Sequence, residues 1–356
     1  MKLSRIELRN FRNYVNRVFS FPEEGVLLFG PNGSGKTNLL EAIAYNSLGK
    51  SVRYQNDEFL VSFGERNFYL SSDFTLRAGT CNIQINYSAG RKSITVNQKP
   101  IKHLSRLYQF VKVVYCSPED INLVNGSPRR RRQYFDLAIS QLKPAYLELL
   151  KHYLHIVEQR NSLLKREEDY KQKKHWDDLF LQAALPVIGQ RLEYMNLLQT
   201  KIRSLYADFL PEAERLSLNY LSTLNTLDRQ EANRNYREVL KEIESKELQY
   251  QRSLLGPHLD DYEFCLNNLP LKNIGSQGQK RTVTLLLKIA HLELLKDAIG
   301  EYPLLLLDDI FAELDEAHTQ KFMQVLQKHG QVFVASPNPI TSVYWPELSV
   351  IKLVSG

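Results

Sequence analysis

Three short stretches of this chain carry residue types that could do chemistry. Gly30-Pro31-Asn32-Gly33-Ser34-Gly35-Lys36-Thr37 has the G-x-x-x-x-G-K-[ST] spacing of a phosphate-binding loop. Its glycines allow a tight turn in which several backbone N–H groups converge on one phosphate. A helix starting at the loop would add the partial positive charge of its N-terminus. Lys36 would neutralise the β- and γ-phosphates of a nucleotide such as ATP, and the Thr37 hydroxyl would help to hold Mg²⁺. The second stretch, Leu304-Leu305-Leu306-Leu307-Asp308-Asp309, is an apolar strand ending in two carboxylates. Beside a phosphate loop, Asp308 would reach Mg²⁺ directly or through water, and Asp309 would polarise the attacking water. The third, Ser276-Gln277-Gly278-Gln279, is a polar, glycine-spaced loop.

These stretches need elements to carry them. Val26-Leu27-Leu28-Phe29 before the phosphate loop reads as a short buried strand, and Leu39, Leu40, Ile43, Ala44 and Leu48 after it recur at helical spacing. Upstream, Leu3 to Leu8 and the polar turn Asn10 to Tyr14 predict an opening strand and hairpin. From Phe68 to Val96 the period changes to two, with Ala89-Gly90 at a turn, which predicts antiparallel sheet. Val111 to Tyr115 is another short buried strand. Gly49 to Arg53 reads as a loop close to the nucleotide. The polar loop at 276–279 opens onto a helix carrying Val283, Leu286, Leu287, Ala290 and Leu294. Gln331 to Ser336 is a last buried strand with a polar tip.

Between the phosphate loop and the acidic strand lie two helical runs, one from Tyr134 to about Lys165 and one from Trp176 to Phe209, with polar chain from there to about residue 250. Helices of about 30 residues reach roughly 45 Å, so the pair predicts a short arm with its tip near residue 170. Ser127 is the expected N-cap of the first run, with Pro128 in its first turn. The run Arg129-Arg130-Arg131-Arg132 has two readings. It faces DNA phosphates, or it merely decorates an exposed helix start, where positive charge opposes the helix dipole.

Composition narrows the classes. The 356 residues suit one large or two modest domains. Lys and Arg total 46 against 40 acids, a formal charge of +6 that is compatible with a polyanionic partner. The cysteines Cys81, Cys116 and Cys265 show no C-x-x-C spacing, so neither a disulfide framework nor a zinc site is indicated and a reducing cytoplasm fits. The most apolar region, Leu285 to Leu295, is interrupted by Lys288, His291 and Glu293, so no membrane span is expected.

The Ser276 to Gln279 loop resembles the signature motif of ABC-type ATPases, with Gln277 where many members have glycine. Glu313-Leu314-Asp315 just past the acidic strand strengthens the likeness, and the helical insertion resembles the SMC-like branch. Within that branch the chain resembles the RecF family of bacterial recombination mediators from residue 3 to about 340. The matching stretches are Leu8-Arg9-Asn10-Phe11-Arg12-Asn13-Tyr14, Lys36 to Ile43, Ser117-Pro118-Glu119-Asp120 through Asp136-Leu137, Gly256-Pro257-His258, and Leu306 to Asp309 with Glu313-Leu314-Asp315. The resemblance implies an α/β ABC-type head with mixed parallel and antiparallel sheet and an inserted helical arm. The head would comprise 1–128 and 251–356, and the arm 129–250. It implies an ATP-dependent homodimer in which Ser276, Gly278 and Gln279 of one subunit meet the ATP bound by the other. It further implies binding to gapped or junction DNA and work with RecO and RecR to load RecA. Asp309 stands where transporter subunits have Glu, and Ser336 where many ABC proteins have His. Both departures imply slow hydrolysis, suited to a timed clamp. No glutamine sits in the turn from Cys116 to Asp120, where ABC proteins often have one. The competing readings are a transporter's nucleotide-binding subunit, another SMC-like DNA ATPase and a small-molecule P-loop kinase. The long insertion and the Asn10-Phe11-Arg12 turn argue against the transporter, and the Ser276 to Gln279 loop against the kinase.

Overall fold

The computed structural model describes residues 1–54, 56–165, 170–206, 209, 215–224, 229–313, 316–326, 329–337 and 345–354. In chain order the elements are β1 (Lys2–Phe11), β2 (Tyr14–Ser20), β3 (Gly25–Phe29), α1 (Lys36–Leu48), β4 (Asn67–Leu76), β5 (Gly79–Ser88), β6 (Arg91–Val96), β7 (Lys99–Ile101), α2 (Leu104–Leu107) and β8 (Val113–Cys116). Then come α3 (Asn122–Asn125), α4 (Pro128–Leu142), α5 (Ala145–Leu164), α6 (Tyr170–Tyr206), β9 (Leu216–Leu221), α7 (Arg229–Tyr250), β10 (Asp261–Leu266), β11 (Leu269–Pro270) and α8 (Leu271–Ile274). The chain closes with α9 (Gln277–Ile299), β12 (Leu304–Asp308), α10 (Glu316–Leu326), β13 (Val332–Ser336) and β14 (Ser349–Lys352). They form two compact units. The first comprises Met1–Asp120, Leu205–Leu210 and Gln277–Gly356, and the second Ile121–Ser204 and Pro211–Ser276.

The first unit holds two sheets. Alternation along β1 buries Ile6 and Leu8 and leaves Arg5, Glu7 and Arg9 on the other face, and Leu3 is buried too because a register shift between Leu3 and Arg5 interrupts the period-two pleat. That strand pairs antiparallel with β2 and β4, and the sheet continues β2-β1-β4-β5-β6-β7. The β5–β6 hairpin turns at Ala89 and Gly90, both at positive φ, as a tight two-residue hairpin demands. The second sheet is parallel, in the order β14-β3-β13-β12-β8. Strands β8, β12 and β13 read as apolar runs because every residue of each is enclosed, whereas the edge strand β14 is largely exposed. Parallel pairing brings the C-terminal ends of β3, β12 and β13 to one edge. That edge is where the phosphate loop, the two aspartates and Ser336 leave the sheet.

The second unit departs from a plain helical pair. The run expected as one helix from Tyr134 to Lys165 is two, α4 and α5, split at Lys143-Pro144. Proline offers no N–H to the ladder, and its ring would meet the preceding turn. The stretch expected as polar chain to residue 250 contains β9, paired antiparallel with β10 in a three-stranded sheet, and the long helix α7. Ala232, Tyr236 and Leu240 lie four apart and are buried, a narrow apolar stripe easily hidden among charges. The segment 251–276, assigned from sequence to the head, clusters with this unit.

Two buried arginines brace the second unit. Arg191 makes a fork to Asp136 at 2.9 and 3.0 Å and donates to the Pro257 carbonyl at 2.6 Å. Arg160 forks to Glu247 at 2.6 and 3.0 Å and reaches Asp177 at 2.8 Å. The Gly256-Pro257-His258 motif is absorbed here. Gly256 has φ +112 and a Cβ would fall 2.5 Å from the Phe180 ring, so only glycine fits. His258 Nδ1 lies 2.6 Å from the Tyr153 hydroxyl, and burial pulls its pKa down to about 4, which keeps it neutral.

Candidate active site

The phosphate loop runs from the end of β3 into α1, the strand–loop–helix setting the motif requires. Gly33 and Gly35 both have positive φ. At Gly35 (φ +99) a Cβ would lie 2.7 Å from the Tyr14 hydroxyl and 2.8 Å from the Asn13 amide nitrogen, so a side chain is excluded. The Tyr14 hydroxyl donates to the Gly35 carbonyl at 3.1 Å, and Asn13 Oδ1 accepts from Asn38 Nδ2 at 2.9 Å, so the β1–β2 turn clamps the loop from outside. Lys36 is buried, and its ammonium donates to the carbonyls of Gly30 at 2.8 Å and Pro31 at 3.0 Å, inside the curl of the loop. Ser34 is buried, and its hydroxyl has no partner among the described residues.

Asp308 ends β12 with both carboxylate oxygens engaged. Thr37 Oγ1 donates to Oδ1 at 2.9 Å, and the Tyr115 hydroxyl donates to Oδ2 at 2.7 Å. Burial pushes the Asp308 carboxyl above its usual range, while the Tyr115 and Thr37 bonds and the charges of Arg53 and Lys36 pull the other way. Asp309 follows at φ +52, its N–H donating to the Ala335 carbonyl at 3.1 Å and its Oδ1 buried with no partner among the described residues. Burial, and then the neighbouring Asp308, raise its carboxyl as well. Ser336 closes β13, paired with Phe29 at the start of the phosphate loop. The loop, Asp308, Asp309 and Ser336 therefore share one edge of one sheet.

The fit to a nucleotide and its cation is good on donor chemistry. An enclosed ammonium and an orphaned hydroxyl line the phosphate loop, and a hydroxyl and a carboxylate oxygen 2.9 Å apart lie at its end. Hard oxygen donors suit Mg²⁺. Among the described residues no group of three or more His, Cys, Asp or Glu could hold a metal. A cation here would thus complete its shell with phosphate oxygens and water, the usual arrangement for Mg²⁺.

Ser276 is the last residue of the second unit, and Gln277 opens α9 with Gly278 and Gln279 in its first turn. Leu314 and Asp315 lie outside the described residues. The four arginines divide. Arg131 forks to Asp261 at 2.7 and 2.8 Å and donates to the Gly126 carbonyl at 2.8 Å, so it is spent on internal contacts. Arg132 donates to the Asp260 carbonyl at 2.7 Å, and burial and nearby Arg191 hold its guanidinium below the ordinary range. Arg129 and Arg130 are exposed. Ser127 stands at the N-cap position without a side-chain cap; its carbonyl accepts from Arg130 N at 3.0 Å.

Two features escaped the sequence reading. Tyr115 reaches the site from β8, and no pattern in Val111 to Tyr115 marks its hydroxyl as polar-facing. Glu41 on α1 is wholly buried. Arg12 Nε and Nη2 both donate to its Oε2 at 3.1 Å, Ser51 donates to Oε1 at 2.7 Å, and Arg53 stands 3.8 Å away. Arg12 also lies over the Tyr54 ring at 4.2 Å. The network ties the β1–β2 turn and the 51–54 loop to the phosphate-loop helix, and the unusual Asn10-Phe11-Arg12 turn was its visible trace.

Comparison with known proteins places the chain in a family. Residues 2–343 match the model of the RecF/RecN/SMC N-terminal domain. The chain is 35% identical to the DNA replication and repair protein RecF of Macrococcus caseolyticus over 342 residues, 94% of this chain and 93% of that one. It is 34% identical to the protein of the same description from Natranaerobius thermophilus over 351 residues, 94% and 91% of the two chains. Its fold superposes on the solved structure of the recombination mediator protein RecF with ATP, of the RecFOR pathway, with TM-score 0.90 and 29% identity, covering 99% and 96% of the chains. An Smc head domain from Pyrococcus furiosus shares the fold at TM-score 0.54 and 15% identity, covering 98% and 92%. The chain belongs to the RecF/RecN/SMC family, on its RecF branch.

Proposed function

We propose that the protein is an ATP-driven, DNA-binding dimer of recombinational repair that acts at gapped or junction DNA. It cooperates with RecO and RecR in loading RecA on single strands. ATP would be held by the phosphate loop, with Thr37 and Asp308 contributing to Mg²⁺. Lys36 would bind the β- and γ-phosphates, Asp309 would orient water, and Ser336 would meet the γ-phosphate. Ser276, Gly278 and Gln279 would act on the ATP of the partner subunit. The observation that carries this reading is the 2.9 Å approach of Thr37 to Asp308 beside the enclosed Lys36 ammonium, which joins motifs far apart in sequence. Family membership favours it over a transporter subunit or a metabolite kinase. Size-exclusion chromatography with light scattering tests it. Doubling of mass with ATP and gapped DNA but not with ADP is expected; a mass indifferent to nucleotide would sink the dimer switch.

The DNA surface is sought at Arg129 and Arg130, the two arginines of the run whose side chains are exposed to solvent. Replacing both exposed arginines with Gln should weaken DNA binding and flatten its salt dependence. The log–log slope on duplex DNA should fall by about 0.9 for each phosphate that is no longer neutralised. Fluorescence anisotropy across a salt series reads this directly, and an unchanged slope would leave them as decoration of a helix start.

A further inference from the structure

Tyr115 is the next-to-last residue of β8, among the apolar Val113, Val114 and Cys116. On parallel β8 it registers with Leu306 of β12, and its ring extends along the sheet to Asp308, where the hydroxyl donates to Oδ2 at 2.7 Å. With Thr37 on Oδ1, each oxygen of this carboxylate receives one hydroxyl. Both Tyr115 and Asp308 are buried, so water cannot readily replace the bond between them. The strand end that carries the phenol is itself braced. Lys288, midway along α9, donates to the Tyr115 carbonyl at 2.7 Å and pairs with Asp120 at 2.9 Å. The second oxygen of Asp120 accepts the Ser117 N–H at 2.8 Å. Nothing in residues 116–120 supplies a glutamine.

We propose that Tyr115 is a positioning residue for the metal site. Its hydroxyl fixes the rotamer of Asp308 so that one oxygen faces Thr37 and the cation, and it supplies from β8 the polar group that the following turn lacks. A free carboxylate can rotate about its last bond. A buried donor of fixed reach on one oxygen stops that rotation, and Lys288 keeps the donor's own backbone from moving. The same tyrosine thus links α9, which opens at the signature-like loop, to the carboxylate beside the phosphate loop. This inference rests on the ATPase reading above and concerns the cation, not the nucleotide.

Tyr115→Phe removes the oxygen and keeps the ring, so the fold should hold by circular dichroism, with a lowered thermal midpoint because a buried carboxylate oxygen loses its donor. Binding of a fluorescent ATP analogue to the full chain is measured first with EDTA and then against a Mg²⁺ titration. In the wild type both must give binding; a wild type that binds no nucleotide refutes the ATPase reading itself and carries this inference with it. In the variant, metal-free affinity is expected to be unchanged. The Mg²⁺ midpoint is expected to rise about 10- to 100-fold, the usual cost of losing a partner that orients a metal ligand. Hydrolysis should recover as Mg²⁺ is raised. An unchanged or lower Mg²⁺ midpoint overturns the proposal, because the hydroxyl would then be idle or a competitor of the cation. A drop in metal-free affinity also overturns it, since the hydroxyl would then shape the nucleotide pocket.

Discussion

Asp309→Asn should leave nucleotide binding and ATP-driven dimerisation in place while slowing hydrolysis by ~10²–10⁴-fold, the range for a lost general base. The substitution is unusually clean here. Asp309 sits at φ +52, and asparagine tolerates that left-handed conformation, so the backbone bond from Asp309 N to the Ala335 carbonyl should survive. An alanine would confound lost chemistry with strain. The raised pKa of Asp309 also gives a direction with pH. A base must be ionised to take a proton, so wild-type hydrolysis should start to fall, as pH is lowered, at a higher pH than an ordinary carboxylate would cause. Stability should move the opposite way. Below the unfolded-state pKa both states are protonated and nothing is lost. As pH rises through that value toward the raised folded one, ionising a half-buried carboxylate beside Asp308 comes to oppose folding. The nucleotide-free Asn variant should therefore melt above the wild type at neutral pH and match it in acid. A variant that hydrolyses ATP at the wild-type rate would move the water-orienting role to another residue.

The parts of this site that were legible in the sequence are those in which backbone geometry dictates composition. A loop that must turn tightly and expose N–H groups spells itself in Gly33 and Gly35, and a fully buried parallel strand spells itself in four leucines before Asp308. The phenol of Tyr115 left no such trace, because a tyrosine in a buried strand is ordinary and only the register with β12 turns its hydroxyl toward a carboxylate. The arginine run hid its internal roles for a related reason. Four consecutive cations on a helix point in four directions, so one basic stretch contains both Arg131, committed to Asp261, and the exposed Arg129 and Arg130. Likewise α7 was missed because a wholly buried stripe of Ala232, Tyr236 and Leu240 occupies too little of a charged helix to raise its apolar content.

The sharpest expected effect comes from two variants that should each be dead alone and alive together. Lys36→Met removes the ammonium enclosed against the Gly30 and Pro31 carbonyls, so the loop keeps its fold and loses the charge that meets the β- and γ-phosphates. Nucleotide binding should be abolished, and isothermal titration against ATP checks it. Ser276→Arg is the complementary lesion. It leaves the phosphate loop, Thr37 and Asp308 intact, so the monomer should bind ATP almost normally. A long cation just before the first turn of α9 would nonetheless occupy the space in which the signature-like loop is proposed to meet a partner's γ-phosphate. No ATP-driven dimer should form, and hydrolysis should be almost abolished. In a heterodimer of the two chains one composite site carries both lesions and the other carries neither. ATPase activity should return on mixing, at up to half the wild-type value per dimer if the intact site works independently. If the mixture stays inactive while both chains remain folded and associate, Lys36 and Ser276 do not serve one nucleotide from two subunits, and the clamp reading falls with them.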